Sequence, residues 1–124
     1  MSTILLVEDD PDIRHLVSFK LSRAGFGVTE ADDGLAALRS AEQAPPDLVI
    51  LDVRLPRMSG LEVCRELRGG PRTARTPIIM LTARAHPHDL EQAYAAGATD
   101  YVVKPFSPRE LQLRVEEALQ RVGY

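Results

Sequence analysis

Five short apolar runs punctuate the chain, at 3–7, 28–31, 48–52, 78–82 and 101–104, and each is followed by a stretch in which apolar residues recur every three or four positions. Runs of that length bounded by turn residues predict strands, and the periodic stretches predict helices. The first helix starts at Pro11 behind the capping residue Asp10, carries Ile13, Leu16, Val17, Leu21 and Ala24 on one face, and ends at Gly25. Asp33-Gly34 leads into the second, with Leu35, Leu38 and Ala41 inward, until Pro45-Pro46 stops it. The third spans 60–68 with Leu61, Cys64 and Leu67 inward, and Gly69-Gly70-Pro71 breaks it. The fourth, 87–96, is the weakest, with Leu90, Ala93 and Tyr94 inward and Gly97 as C-cap. The last starts at Pro108, carries Leu111, Val115, Ala118, Leu119 and Val122, and ends near Gly123.

Five strand-helix units predict a doubly wound α/β fold. Parallel crossovers need a helix and are right-handed, so the helices cover both faces of a parallel sheet, for which the predicted strand order is 2-1-3-4-5. Leu48-Val-Ile-Leu51 lacks polar alternation, as a central strand covered on both faces requires. A chain of 124 residues matches a single domain over 1–124, with no repeat or linker.

Charge and cysteine content narrow the function. Lys and Arg total 15 against 18 Asp and Glu, a formal net charge of -3, which argues against direct nucleic-acid binding by this chain. The single Cys64 excludes an internal disulfide and reads as core. His15, His86 and His88 have no metal-binding spacing. With no basic leader and no apolar stretch long enough to span a bilayer, the expected location is the cytoplasm, away from membranes.

Candidate chemistry lies where the strands end. Glu8 and Asp9 follow the first strand, Asp52 closes the third, Thr82 the fourth and Lys104 the fifth. In a parallel sheet these ends share one rim, where open α/β folds bind ligands. Any one of them has an ordinary explanation: Asp52, Glu8 and Asp9 as loop or helix caps, Thr82 as a β-branched strand residue, Lys104 as a solvated charge. Together, three carboxylates at one rim repel each other, and a hard divalent cation with oxygen ligands relieves this; Mg²⁺ fits best. A nucleophilic carboxylate beside a lysine and a small hydroxyl is a phosphoryl-acceptor site.

These segments resemble the receiver domain of two-component response regulators. The likeness rests on the apolar strand plus Glu8-Asp9, on Leu-Asp52-Val-Arg-Leu-Pro56 with Gly60, on Met-Leu-Thr82-Ala83, and on Asp100-Tyr101-Val-Val-Lys104-Pro105-Phe106, and it covers the chain from Ile4 to Val122. It implies a flavodoxin-like, CheY-like (βα)5 fold and phosphorylation of Asp52 by the phosphohistidine of a sensor histidine kinase or phosphotransfer protein. It further implies Mg²⁺ held directly by Asp9 and Asp52, through water by Glu8, and by the backbone carbonyl of Arg54. The phosphoryl oxygens would be bound by Lys104, Thr82 and the Ala83 N–H, with a cis Lys104–Pro105 bond placing the lysine. Tyr101 would turn inward as Thr82 moves, changing a protein-binding face.

By this resemblance the chain is not an enzyme beyond catalysing its own phosphorylation and dephosphorylation. Two alternatives remain, a receiver-like module that signals without phosphorylation and a phosphatase of the haloacid-dehalogenase type. The latter needs a second Asp two residues after the nucleophile, where this chain has Arg54. No Lys or Arg occurs between Ala85 and Val103; Leu90 and Gln92 stand on the fourth helix where a charge-paired homodimer needs cations, and Leu113 lies off the buried stripe of the last helix, so the shared face is more apolar and lacks half of the expected pairs. The expectation is therefore a monomer or weak dimer docking an unknown downstream protein, as a single-domain regulator or an excised receiver.

Overall fold

The computed structural model describes residues 1–84 and 86–123, with side chains described up to residue 121. The elements alternate without exception: β1 (Thr3–Val7), α1 (Pro11–Arg23), β2 (Gly27–Ala31), α2 (Gly34–Gln43), β3 (Leu48–Asp52), α3 (Gly60–Gly69), β4 (Ile78–Thr82), α4 (Pro87–Ala96), β5 (Asp100–Val103) and α5 (Pro108–Gly123). All strand pairs are parallel, in the order β2-β1-β3-β4-β5. This is the doubly wound arrangement expected from the pattern of runs. No helix among the described residues is long and apolar enough to cross a membrane.

Strand side chains alternate between two cores, because successive Cβ atoms leave a pleated strand on opposite sides. Leu5, Val7, Val49, Leu51, Ile78 and Met80 pack under α2, α3 and α4, where Ala37, Ala41, Val63, Cys64 and Ala93 meet them. Ile4, Leu6, Leu48, Ile50, Ile79 and Leu81 pack on the other face with Val17, Leu21, Leu111 and Val115 of α1 and α5. Every residue of β3 and β4 is buried, so the two central strands have little freedom to shift the groups at their ends.

Helix starts are capped as the sequence predicts. Asp10 accepts from the N–H groups of Asp12 and Ile13 at 2.9 and 3.4 Å, and Asp33 accepts from Ala36 N–H at 2.8 Å. Gly97 ends α4 with φ of 111°, a left-handed conformation that favours glycine.

The structure corrects several inward assignments. Leu16 is 48% exposed, since the i, i+4 pair Val17 and Leu21 faces the sheet and Leu16 lies about 100° round the helix from Val17. Ala24 is the exposed cap residue beyond α1. Leu35 is 37% exposed because small Ala37 and Ala41 form the contact face of α2. Tyr94, 47% exposed, lies over the edge of Tyr101 rather than in the core. β2 starts one residue early, α3 ends one residue late, and β5 runs from Asp100 to Val103, so Lys104 stands just past the strand. The expected inward Val122 lies outside the described side chains.

Arg68 of α3 ties the entrance of β4 to the end of α4. Its guanidinium donates to Gly97 O at 2.9 Å, Thr76 O at 2.5 Å and Thr99 Oγ1 at 3.3 Å. Arg68→Met keeps the apolar stem and leaves these acceptors without that donor. It should lower unfolding free energy by about 2 kcal/mol in urea titration, and a change under ~0.5 kcal/mol, the range of an ordinary surface substitution, would show the clamp to be dispensable.

Candidate functional site

The C-terminal ends of β1, β3, β4 and β5 converge on one cavity of about 410 Å³, lined among others by Glu8, Asp9, Asp52, Thr82 and Lys104. Glu8 continues the ladder of β1 for one more residue, its N–H donating to Ala31 O at 3.1 Å, and its side chain is fully buried. Asp9, the next residue, is exposed. Asp52 ends β3 with 5% of its surface accessible. One carboxylate oxygen from each of the three lies within 4.8 Å of the others.

The turn after β3 holds Asp52 in place through its neighbours. Asp52 Oδ1 accepts from Arg54 N–H at 3.1 Å, Val53 N–H donates to Leu81 O at 3.0 Å, and Gly60 N–H donates to Val53 O at 2.8 Å. Gly60 lies so close that a Cβ there would stand 2.1 Å from Asp52 O and 2.8 Å from Val53 Cα, so the local backbone path requires glycine. Asp33 at the start of α2 meets Arg57 at 3.8 Å from the far side of the same turn.

Lys104 is the shared counter-charge. Its Nζ stands 2.8 Å from Asp52 Oδ2 and 2.8 Å from Glu8 Oε1. Only the Asp52 contact is aligned as a hydrogen bond; Glu8 Oε1 is a buried acceptor with no aligned donor, although the ammonium is adjacent. Burial pushes the Glu8 carboxyl up to about 7, the neighbouring Asp52 adds to this, and Lys104 opposes it. Burial alone would lower the Lys104 ammonium, but the two carboxylates beside it, Asp52 and Glu8, outweigh that and raise it, so it remains cationic. A hard-oxygen donor set that includes a buried acceptor without an aligned donor fits a divalent cation such as Mg²⁺.

Thr82 is buried at the end of β4, and its hydroxyl is used locally: Oγ1 donates to Arg84 O at 3.1 Å and accepts from Arg84 N–H at 3.0 Å. Ala83 is exposed and lines the cavity. The Lys104–Pro105 bond is cis. Tyr101 is half-buried on β5 outside the cavity lining, its ring edge-on to Tyr94 at 5.6 Å and 76°. The rim thus brings together Glu8, Asp9, Asp52, Arg54, Thr82, Ala83 and Lys104, and leaves Tyr101 on the adjoining face. Arg84 was absent from the sequence reading, because an arginine in a polar loop looks like any solvated charge; its place two residues after Thr82 is the signal that could have found it.

Residues 4–116 match the model of the response regulator receiver domain family. Among curated relatives, the chain is 44% identical over 121 residues to the DNA-binding dual master transcriptional regulator RpaA of Synechocystis, covering 98% of this chain and 50% of that protein. It is 45% identical over 118 residues to the alkaline phosphatase synthesis transcriptional regulatory protein PhoP of Bacillus subtilis, covering 95% and 48%. The chain spans about half the length of the curated relatives it matches. Among solved structures, the chemotaxis protein CheY4 of Vibrio cholerae superposes with a TM-score of 0.91 at 38% identity, covering 95% of this chain and 98% of that one. The receiver domain of sensor histidine kinase PA1611 from Pseudomonas aeruginosa, with a magnesium ion in its active site cleft, gives 0.89 at 39% identity, covering 96% and 98%.

These relatives correct the partner expectation. The expectation of no direct nucleic-acid binding by this chain, with an unknown downstream protein as target and a monomer or weak dimer as the state, does not agree with relatives that are DNA-binding regulators of about twice its length. The physical reason is that the net charge of 124 residues describes only those residues, and holds no information on what a longer regulator does with DNA. A kinase partner remains consistent with the family.

Proposed function

The chain belongs to the response regulator receiver domain family of two-component systems, and from that premise we propose that it is a Mg²⁺-dependent phosphoryl acceptor at Asp52. The observation that carries this reading is Lys104 Nζ at 2.8 Å from both Asp52 and Glu8 at the end of two fully buried central strands. It sets one cation against Asp52, which is nearly buried, lines the cavity and takes the aligned hydrogen bond from the ammonium.

In the proposed reaction an Asp52 carboxylate oxygen forms a bond to phosphorus while the phosphorus–nitrogen bond of a kinase phosphohistidine breaks. Mg²⁺, when bound by Asp9 and Asp52 with Glu8 and the Arg54 carbonyl in support, supplies positive charge for the phosphoryl oxygens. Lys104 holds the same oxygens from the β5 side, and the Ala83 N–H supplies a donor from the β4 side. Thr82 joins them by giving up its bonds to Arg84, and Tyr101, half-buried against the core under α2, α3 and α4 and T-shaped to Tyr94, turns further inward as that space opens. The chain acts on no external substrate, catalysing only its own phosphorylation and dephosphorylation, and Arg54 in place of a second acid argues against phosphatase chemistry. A cytoplasmic location beside the ATP-fed kinase belongs to the same proposal. By likeness to RpaA and PhoP, the phosphoryl state would govern a DNA-binding output.

Mg²⁺ should stabilise the fold, because a ligand that binds only the native state shifts unfolding by mass action. At a concentration about 100 times the dissociation constant the gain is roughly 2.7 kcal/mol. The thermal midpoint should therefore climb through the millimolar range and fall back on chelation. Asp9→Ala should remove most of the rise; an unaltered response in that variant would place the metal elsewhere.

A further inference from the structure

We propose that Arg14 of α1 and Glu30 of β2 act together as positioning residues that set Mg²⁺ affinity through the Glu8–Asp9 peptide, an inference that rests on the reading of the Asp52 rim as a Mg²⁺-dependent acceptor site. Arg14 is the fourth residue of α1, near the end of a helix where the dipole disfavours a cation, yet only 17% of its side chain is accessible. Two acceptors hold it there. Its Nη1 donates to Glu8 O at 2.9 Å and its Nε to Glu30 Oε1 at 3.1 Å.

The Glu8 carbonyl and the Asp9 N–H belong to one planar peptide, so a bond to that carbonyl fixes the direction in which the Asp9 side chain leaves the backbone. β2 already holds the other side of Glu8, whose N–H donates to Ala31 O at 3.1 Å, and Glu30 is the residue next to Ala31 in that strand. Beyond Asp9, Asp10 N–H donates to Glu8 Oε2 at 3.2 Å while Asp10 Oδ1 caps α1. The backbone is therefore tied on both sides of Asp9, and none of these bonds uses the Asp9 carboxylate itself. Glu8 and Asp52 are fixed by burial, whereas Asp9 is exposed. Of the three acids, Asp9 is the one whose aim depends on how its peptide is held.

Charge and geometry predict opposite effects. A guanidinium near three carboxylates repels a divalent cation, so by charge alone its removal should tighten Mg²⁺ binding. If Arg14 instead aims Asp9, its removal should weaken binding. Groups that orient metal ligands are commonly worth 10- to 100-fold in affinity, and Arg14 acts through a peptide rather than on the ligand atom, which sets the expected loss at about tenfold. Glu30 is exposed, so its ion pair with Arg14 adds little to stability, and its effect should be felt in where Arg14 points.

The test is an NMR titration of the protein with MgCl₂ at fixed ionic strength, reading the dissociation constant directly for Arg14→Met, Arg14→Lys, Glu30→Gln and the double variant Arg14→Met/Glu30→Gln. Arg14→Met should weaken Mg²⁺ about tenfold. Arg14→Lys keeps the charge but lacks the fork that joins Glu8 O to Glu30, so it too should bind more weakly than the unaltered protein, as should Glu30→Gln to a smaller degree. The double variant should bind no more weakly than Arg14→Met, because two residues acting through one bond are not additive. The Mg²⁺ dependence of labelling by acetyl phosphate should shift with the dissociation constant, and saturating Mg²⁺ should recover most of the rate. Thermal midpoints without metal are read alongside; if Arg14→Met does not fold, Arg14→Lys and Glu30→Gln decide. Mg²⁺ affinity unchanged or tighter in the arginine variants, whether or not their midpoints fall, with Asp52 still labelled, would overturn the inference and leave the acceptor reading standing. Failure of the unaltered protein to bind Mg²⁺ or take up phosphoryl would overturn both.

Discussion

Asp52→Asn is expected to abolish phosphoryl uptake from acetyl phosphate and Mg²⁺ while leaving the fold intact. The amide nearly matches the carboxylate in shape but offers no anionic oxygen to attack phosphorus, so the rate should fall on the order of 100-fold or more, to the detection floor. The fold should survive because Lys104 keeps Glu8 at 2.8 Å, and because one of three mutually repelling carboxylates has gone. Intact mass after incubation reads the first effect and urea unfolding the second. Uptake by the Asn variant equal to that of the unaltered protein would remove Asp52 as the acceptor.

Gly60→Ala should be among the most damaging single substitutions outside the acids. The new Cβ would meet Asp52 O at 2.1 Å, Val53 Cα at 2.8 Å and Asp52 C at 2.9 Å, all backbone atoms that cannot swing aside. Relief requires moving the peptide that carries the acceptor. The expected cost is about 3 kcal/mol or more, the upper range for forcing volume into a packed site. For a domain of this size that lowers the thermal midpoint by roughly 10 °C. Gly69→Ala is the control, since a Cβ there meets nothing within 4 Å and alanine favours the helix. Equal effects at the two glycines would show that the close approach at Gly60 carries no energetic weight.

The rim was legible in the sequence for a simple reason. Each apolar run stops on or beside a polar residue, and a parallel sheet sends all such ends to one side, so the sequence alone groups Glu8, Asp9, Asp52, Thr82 and Lys104. Right-handed crossovers allow the strand order 2-1-3-4-5 among a few others, and the observed pairing bears that expectation out. Periodicity was weaker at deciding which residue of an apolar neighbourhood turns inward: Leu16 beside Val17 and Leu35 beside Ala37 satisfy the same spacing, and only packing distance separates them. Nothing in the sequence announced that Thr82 spends its hydroxyl on Arg84, or that Gly34, read as a helix start, lies where a Cβ would meet Met58 O at 2.5 Å. Both depend on how the loops fold back, which residue spacing does not encode. The partner reading failed because the charge of one domain does not report what its DNA-binding relatives, about twice its length, do.

The most direct measurement of the central claim is the position of the phosphoryl group itself. Borohydride reduces an aspartyl phosphate to homoserine, so the phosphorylated protein is reduced, digested and sequenced by mass spectrometry, with unphosphorylated protein carried through in parallel. The account predicts homoserine at position 52, in proportion to the phosphoryl gain and absent from the parallel sample. Reduction at Glu8 or Asp9 instead, or phosphoryl gain with position 52 unaltered, would contradict it.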